Sequence, residues 1–217
     1  DSELLNEIML KSKEILENHP INIKRKKNGL NPANMIWLWG NGTIPEMESF
    51  YKKFGLKGCV ICAVSLIKGL GTILKMDVPE VPGATGYIDT NYKKKAETAL
   101  KKIDTLDFAF IHIEAPDEMG HERDVERKIK AIEMIDKEVV GTLLDNLSDD
   151  YRLVITTDHM TPVNTGKHEG GAVPFSIFGD GIKKDDISVF SERSAKRGYF
   201  KIVEGYKIMK ILRRGSV

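Results

Sequence analysis

The sequence predicts an α/β fold, a mostly parallel sheet flanked by helices on both faces, and three observations carry that expectation. Five short runs are continuously apolar rather than alternating, the pattern of strands buried on both faces. Stretches of helical period separate them. The chain has 217 residues, 41% hydrophobic and 30% charged, the mix of an ordinary globular domain long enough to bury about 70% of its unfolded surface.

The elements are expected in the following order. Residues 2–17 place Leu4, Leu5, Ile8, Ile15 and Leu16 near one helical face, with Ser2 as N-cap and Glu3 in the first turn. His19-Pro20 ends this helix, because the residue before proline is driven from the α region. The basic stretch 22–34 reads as a solvated linker, which puts a first segment at 1–34 and the core at 35–217. The run MIWLW at 35–39 reads as a buried strand closed by Gly40-Asn41-Gly42. Pro45 opens a helix over 45–54, with Met47, Phe50, Tyr51 and Phe54 on one face. A strand is expected at 58–64 and a short helix at 66–75. Residues 79–90 are punctuated by Pro79, Pro82, Gly83 and Gly86 and read as a loop. A helix follows at about 92–103, then a strand at 107–114. The longest helix spans 123–147, with Val125, Ile129, Ile132, Ile135, Val139, Leu143 and Leu147 as its stripe. Strands at 152–157 and 173–179 and a helix at about 199–212 complete the order.

Composition excludes several classes. Lys+Arg is 33 and Asp+Glu 32, a formal net charge of +1, so no electrostatic footprint for nucleic acid or an anionic membrane is present. No apolar run approaches the roughly 18–20 residues of a membrane span. Two cysteines rule out a disulfide scaffold and fit a reducing, cytoplasmic compartment. Cys59 and Cys62 have CxxC spacing, but in a strand they point to opposite faces, so buried thiols are expected. Asn41-Gly42-Thr43 and Asn146-Leu147-Ser148 match the glycosylation pattern and are discounted for want of a secretory signal.

In a parallel sheet, ligands bind at the carboxyl ends of the strands. Three polar groups fall there: Asp117 and His121 after the 107–114 strand, Asp158-His159 directly after Thr157, and His168 before the last strand. Two carboxylates and three imidazoles suit Zn²⁺ or Mn²⁺ without a thiolate, and a metal pair is a common device for phosphoryl transfer. Each motif alone could be a turn or a helix cap, and spacing leaves both readings open. In Asp117-x-x-x-His121 the intervening proline and glycine speak against a helical i,i+4 pair. His112 reads as a core or near-site histidine, His19 as a helix-end residue, and Ser65 as an N-cap rather than a nucleophile.

Six segments together carry a resemblance: NPANMIWLWG at 31–40, VPGATGYIDTNY at 81–92, HIEAPDEMGHE at 112–122, KIKAIEMIDK at 128–137, TDHMTP at 157–162 and VPF at 173–175. With them the chain resembles the archaeal-type cofactor-independent phosphoglycerate mutases of the alkaline phosphatase superfamily. The resemblance implies an alkaline-phosphatase-like core and two divalent metals, Mn²⁺ or Zn²⁺ first, with Mg²⁺ or Co²⁺ also conceivable. Asp117, His121 and His168 would hold one ion, Asp158 and His159 the other. Lys68 would lie near the transferred phosphate. The implied reaction interconverts 3-phosphoglycerate and 2-phosphoglycerate through a phosphoserine, with no 2,3-bisphosphoglycerate. Members are nearly twice as long, and an N-terminal part supplies a metal-binding Asp, the nucleophilic Ser and a substrate-clamping domain. Ser65 stands where relatives usually show Asp and does not inherit the serine's role. The expectation is therefore a core incomplete at its N-terminus, with Asp1 as a cut, inactive alone and partnered by the missing part of the same protein. Another metal-dependent phosphatase, or a non-catalytic metal-binding domain, remains the alternative, and a homo-oligomer is left open.

Overall fold

A computed structural model describes residues 2–40, 42–148 and 150–214. It forms two compact units, Asp1–Glu46 and Met47–Val217. The division lies some dozen residues beyond the 34/35 boundary expected from sequence.

In the first unit, α1 (Ser2–Glu17) begins at Ser2 itself, so the capping position falls on residue 1, outside the described residues. The basic stretch is not a linker: Pro20–Lys27 forms α2, opened by proline in its first turn where the missing N–H costs nothing. His19 is its N-cap, accepting from the Ile21 amide. The run 35–39 is neither buried nor paired in a ladder: all five side chains are exposed, Trp37 at 71% and Trp39 at 80%. An apolar run marks a strand only when an edge is available to pair with it. The turn expected after it includes Asn41, outside the described residues, as does the first glycosylation pattern.

The second unit is built on β1 (Gly58–Ile61) and β2 (Phe108–Ile111), which pair in parallel from Gly58↔Phe108 to Ile61↔Ile111. The crossover between them carries α4 (Ser65–Ile73) and α5 (Tyr92–Ile103), the long helical connection that parallel strands require. Before it, Phe50–Phe54 forms α3, capped by the Ser49 side chain; the helix does not reach back to Pro45. α5 sits close over the sheet because Ala96 and Ala99, both fully buried, face it. Gly71 does the same for α4: a Cβ there would meet Val60 Cγ2 at 2.9 Å.

The long helix is interrupted. α7 (Val125–Met134) passes into a π-helical turn, Ile135–Gly141, and then α8 (Thr142–Asn146). From Ile135 the apolar residues recur every four positions, overshooting an α turn of 3.6 residues, and the wider π turn keeps Val139 and Leu143 in the core with Tyr92, Ala96, Ala115 and Ala131. Val125, Ile129 and Ile132 of the expected stripe are exposed, and Ala131 is the buried residue of α7.

β3 (Arg152–Thr156) and β4 (Phe175–Gly179) pair antiparallel, where sequence suggested another parallel strand. The reason lies in the connection, a loop over 157–174 without a crossover helix. The last helical segment is shorter than expected, a 3₁₀ turn Gly205–Lys207 leading into α10 (Ile208–Arg214), with a short α9 (Glu192–Ala195) before it. Among the described residues no helix is long and apolar enough to cross a membrane.

Candidate metal centre

Beyond β2 the chain enters α6 (Ala115–His121) at once. Pro116 stands in the first turn, where it is tolerated, so it starts the helix rather than preventing it. Asp117 and Glu118 lie in the first turn and His121 in the last, each on the side favoured by the helix dipole. The i,i+4 pair that proline and glycine seemed to forbid therefore exists: Asp117 Oδ2 is 3.2 Å from His121 Nε2. Gly120 serves contact rather than flexibility, since a Cβ there would collide with the Thr161 carbonyl. Its absence lets the loop after β3 lie against α6.

That loop supplies the other groups. His168 Nε2 lies 3.3 Å from Asp117 Oδ1 and 2.9 Å from His121 Nε2. His159 Nδ1 is 3.9 Å from Asp117 Oδ1, and its ring lies 3.9 Å from that of His168. One ligand atom each from Asp117, His159 and His168 falls within 4.8 Å of the others. His121 is fixed from behind: its Nδ1 is 3.0 Å from the Gly166 carbonyl. A carbonyl can only accept, so Nδ1 carries a proton, and Nε2 is the nitrogen turned toward Asp117 and His168. Asp158 is the outlying member, 71% exposed, joined to the group by a 3.5 Å approach to His159 Nε2.

Asp117 is the electrostatic centre. Burial acts to raise its pKa, but the Thr161 hydroxyl and the imidazoles of His121, His168 and His159 outweigh burial and hold it below the ordinary carboxylate value. Thr161, buried, donates from Oγ1 to Asp117 Oδ1. Its own carbonyl accepts from Lys128 Nζ on α7 at 2.6 Å. Burial lowers the pKa of Lys128. Glu114, at the start of α6, is raised by burial and then by Asp117, Glu118 and Asp158; with Asp117 and Glu118 it forms a second oxygen-rich group. Thr161, Lys128 and Glu114 were not singled out by sequence. Thr161 two places after His159 was the available signal.

His112 follows β2 directly, with Nε2 3.3 Å from Glu114 Oε2 and a buried Nδ1 that meets no partner among the described residues. It is a near-site histidine, its pKa lowered chiefly by burial. Its carbonyl accepts from Lys95 Nζ at 3.1 Å, a lysine fully buried on α5. Lys68 lies elsewhere in its contacts: its amine is held by Glu80 at 2.9 Å, and no hydrogen bond or ion pair among the described residues joins it to the histidines. Ser65 begins α4, whose N-cap is Val64. Cys59 and Cys62 are free and buried.

The donor set, one half-buried carboxylate with convergent imidazole nitrogens, fits a divalent ion such as Zn²⁺ or Mn²⁺. Comparison with known proteins supports metal binding as such. The chain is 44% identical to a 2,3-bisphosphoglycerate-independent phosphoglycerate mutase of Methanothrix thermoacetophila, over 99% of this chain and 56% of that protein. It is 42% identical to 2,3-bisphosphoglycerate-independent phosphoglycerate mutase 2 of Methanothermobacter thermautotrophicus, over 98% and 53%. The chain thus spans about half the length of the curated relatives it matches. Among solved structures, the PH0037 protein of Pyrococcus horikoshii superposes with a TM-score of 0.87 at 34% identity, over 97% of this chain and 56% of that one. A cofactor-independent phosphoglycerate mutase from Thermoplasma acidophilum superposes at 0.59 with 28% identity, over 97% and 51%. These neighbours bear out the α/β, alkaline-phosphatase-like class. The family model of the metalloenzyme superfamily matches residues 7–214, nearly the whole chain, and to that superfamily the chain belongs.

Proposed function

We propose that the whole protein interconverts 3-phosphoglycerate and 2-phosphoglycerate without 2,3-bisphosphoglycerate, and that this chain supplies most of its metal-binding core. The observation that carries this reading is the convergence of Asp117, His121, His159 and His168 from α6 and the loop after β3. The mutases to which the chain is similar point to the substrate, a small phosphoglycerate. Two divalent ions, when bound, would neutralise charge on the phosphoryl group in transfer. Asp117, His121 and His168 would hold one, and Asp158 and His159 would contribute to the other with groups from outside this chain.

The chain's own residues prepare that site. Gly166 holds the His121 ring so that Nε2 faces inward. Thr161 orients the Asp117 carboxylate and helps keep it ionised. Lys128 fixes Thr161 through its carbonyl. Lys68 remains a candidate for phosphate contact, and to serve it would have to leave Glu80. The nucleophilic serine would come from the part outside this chain. Buried free thiols suit a reducing compartment, and we place the protein in the cytoplasm.

The test is the full gene product supplied with 3-phosphoglycerate and coupled to enolase. Turnover without added 2,3-bisphosphoglycerate is expected, and none from the 217-residue chain alone. Release of inorganic phosphate without isomerisation would transfer the site to a phosphatase of the same superfamily. Mutase turnover by this chain alone would overturn the division of labour.

A further inference from the structure

Arg123 stands just past the end of α6 with φ at +60°, in the left-handed region that a residue with a side chain enters at a cost. The helix end imposes this. The Arg123 amide donates to the Gly120 carbonyl at 3.1 Å and the Asp124 amide to the Met119 carbonyl at 3.0 Å, the pair of bonds that closes a helix through a left-handed residue, usually glycine. Lys75 closes α4 in the same way, at φ +57°, with its amide on the Thr72 carbonyl and the Met76 amide on that of Gly71, and its amine then meets no hydrogen-bond or ion-pair partner among the described residues. The cap alone therefore does not account for what the Arg123 side chain does.

That side chain reaches across to the loop after β3. Its Nη2 donates to the Thr165 carbonyl at 3.0 Å, and its Nε lies so close to Gly166 that a Cβ there would stand 3.0 Å from it. Thr165 and Gly166 belong to one tight turn, their amides donating to the Pro162 carbonyl at 3.2 and 2.8 Å. The next carbonyl of the turn, that of Gly166, receives His121 Nδ1 at 3.0 Å, and His168 follows two residues on. Adjacent carbonyls of one turn are thus gripped by side chains two residues apart at the end of α6. One bond would let the turn pivot, and two fix its direction.

We infer that Arg123 is a positioning residue of the metal centre: it clamps the 162–166 turn onto the end of α6, and so sets where the Gly166 carbonyl holds His121 and where His168 enters the site. The inference rests on the centre proposed above. The sign of its effect separates this role from a purely electrostatic one. A guanidinium beside a site for a divalent cation repels that cation, so loss of the charge alone would raise metal affinity, whereas loss of the clamp lowers it.

The experiment measures the Zn²⁺ affinity of the full gene product, stripped of metal and titrated against a competing chelator, and the Tm of the metal-free protein. Arg123→Met keeps the strained backbone and the length of the stem and removes the donors. Its affinity is expected to fall about tenfold, the low end of the range for an outer partner of a metal ligand. Arg123→Gly should lose as much affinity yet melt above Arg123→Met, since glycine takes a positive φ without strain. Arg123→Lys, which returns a charged donor at similar reach, should recover most of the affinity. Lys75→Gly, the same change at the end of α4, should raise Tm and leave the affinity as it was. Equal or higher affinity in Arg123→Met would overturn the inference. So would Arg123→Lys binding as weakly as Arg123→Met, Arg123→Gly melting below it, or a matching fall in affinity in Lys75→Gly. An unchanged protein that binds no Zn²⁺ would remove the centre itself and the clamp with it.

Discussion

Residues 2–40 and the α6–α7 region around Asp117 both carry apolar residues at helical spacing, and they end differently. In the first, Leu10, Ile15, Trp37 and Trp39 are exposed. In the second, Val125, Ile129 and Ile132 of α7 are exposed too, but Ala115, Met119 and Ala131 are wholly buried, and the polar groups between them find partners within this chain. The difference teaches that apolar spacing alone does not decide which residues are buried. A polar constellation is more self-contained. Asp117 needs a donor, and Thr161 supplies it; His121 needs an acceptor, and Gly166 supplies it.

The sharpest break of this comparison is at Asp117. Asp117→Ala removes the one carboxylate that three imidazoles face. Metal affinity of the 217-residue chain is expected to fall at least about a hundredfold, more than the loss of an outer partner causes. Metal analysis after dialysis against a buffered ion measures it, with Trp37→Ala as the matching change in the first unit, which leaves metal content as it was. Unchanged metal content in Asp117→Ala would remove the site.

Stability separates the two regions next. Leu143 is 5% exposed in the cluster around α5, and Leu143→Ala is expected to cost about 2–5 kcal/mol. Leu10, 65% exposed on α1, should cost less than about 0.5 kcal/mol when changed to alanine. Urea unfolding of the short chain compares them. A large loss at Leu10 would show that α1 is covered in solution, contrary to its exposure here.

The core also has an alkaline limit. Burial, then Asp77, pushes the Cys59 thiol up to about 11 from an ordinary 9.0. A thiol whose folded pKa is raised stabilises the fold fully below its unfolded pKa, and that stability is lost as pH rises through the folded pKa. Between pH 9 and 11 the loss at this residue is expected to reach about 3 kcal/mol at roughly 1.4 kcal/mol per unit. The buried Lys95 is lowered by burial and acts in the opposite sense, its penalty relieved as pH rises through its folded pKa. The check is therefore a difference: the fall in Tm from pH 9 to 11 should be smaller in Cys59→Ala than in the unchanged chain.

How much of this was legible in sequence follows from the same contrast. The strand-helix order of the second unit could be read because Cys59, Ile61, Ala96 and Ala99 are covered within the chain. The strand expected at 35–39 did not form, because no strand among the described residues pairs with that run. The antiparallel β4 was misread although the loop before it holds no crossover helix. Asp117, His121, His159 and His168 were legible as groups at strand ends. Their mutual geometry was not, because Pro116 was taken as a breaker when it occupies the one helical turn that accepts it. Thr161 was passed over because a single hydroxyl in a loop gives no period and no charge.

Thr161 is for that reason the finest test of whether the site completes itself. Its hydroxyl offsets the burial that would raise the Asp117 pKa, and its carbonyl is tied independently to Lys128, so the side chain can be changed while the backbone stays anchored. Thr161→Val keeps the shape and removes the donor. Metal affinity near neutral pH is expected to fall about tenfold, within the usual range for an outer partner of a metal ligand. The loss should deepen as pH falls, because a carboxylate without its donor takes up a proton at higher pH. Thr161→Ser, which restores the hydroxyl, should recover both the affinity and the pH profile. Titrations of metal binding on the three proteins at two pH values measure this. Equal affinity in Thr161→Val would mean that the three imidazoles orient Asp117 without help from the loop, and failure of Thr161→Ser to recover would assign the residue to packing against Gly120 rather than to the carboxylate.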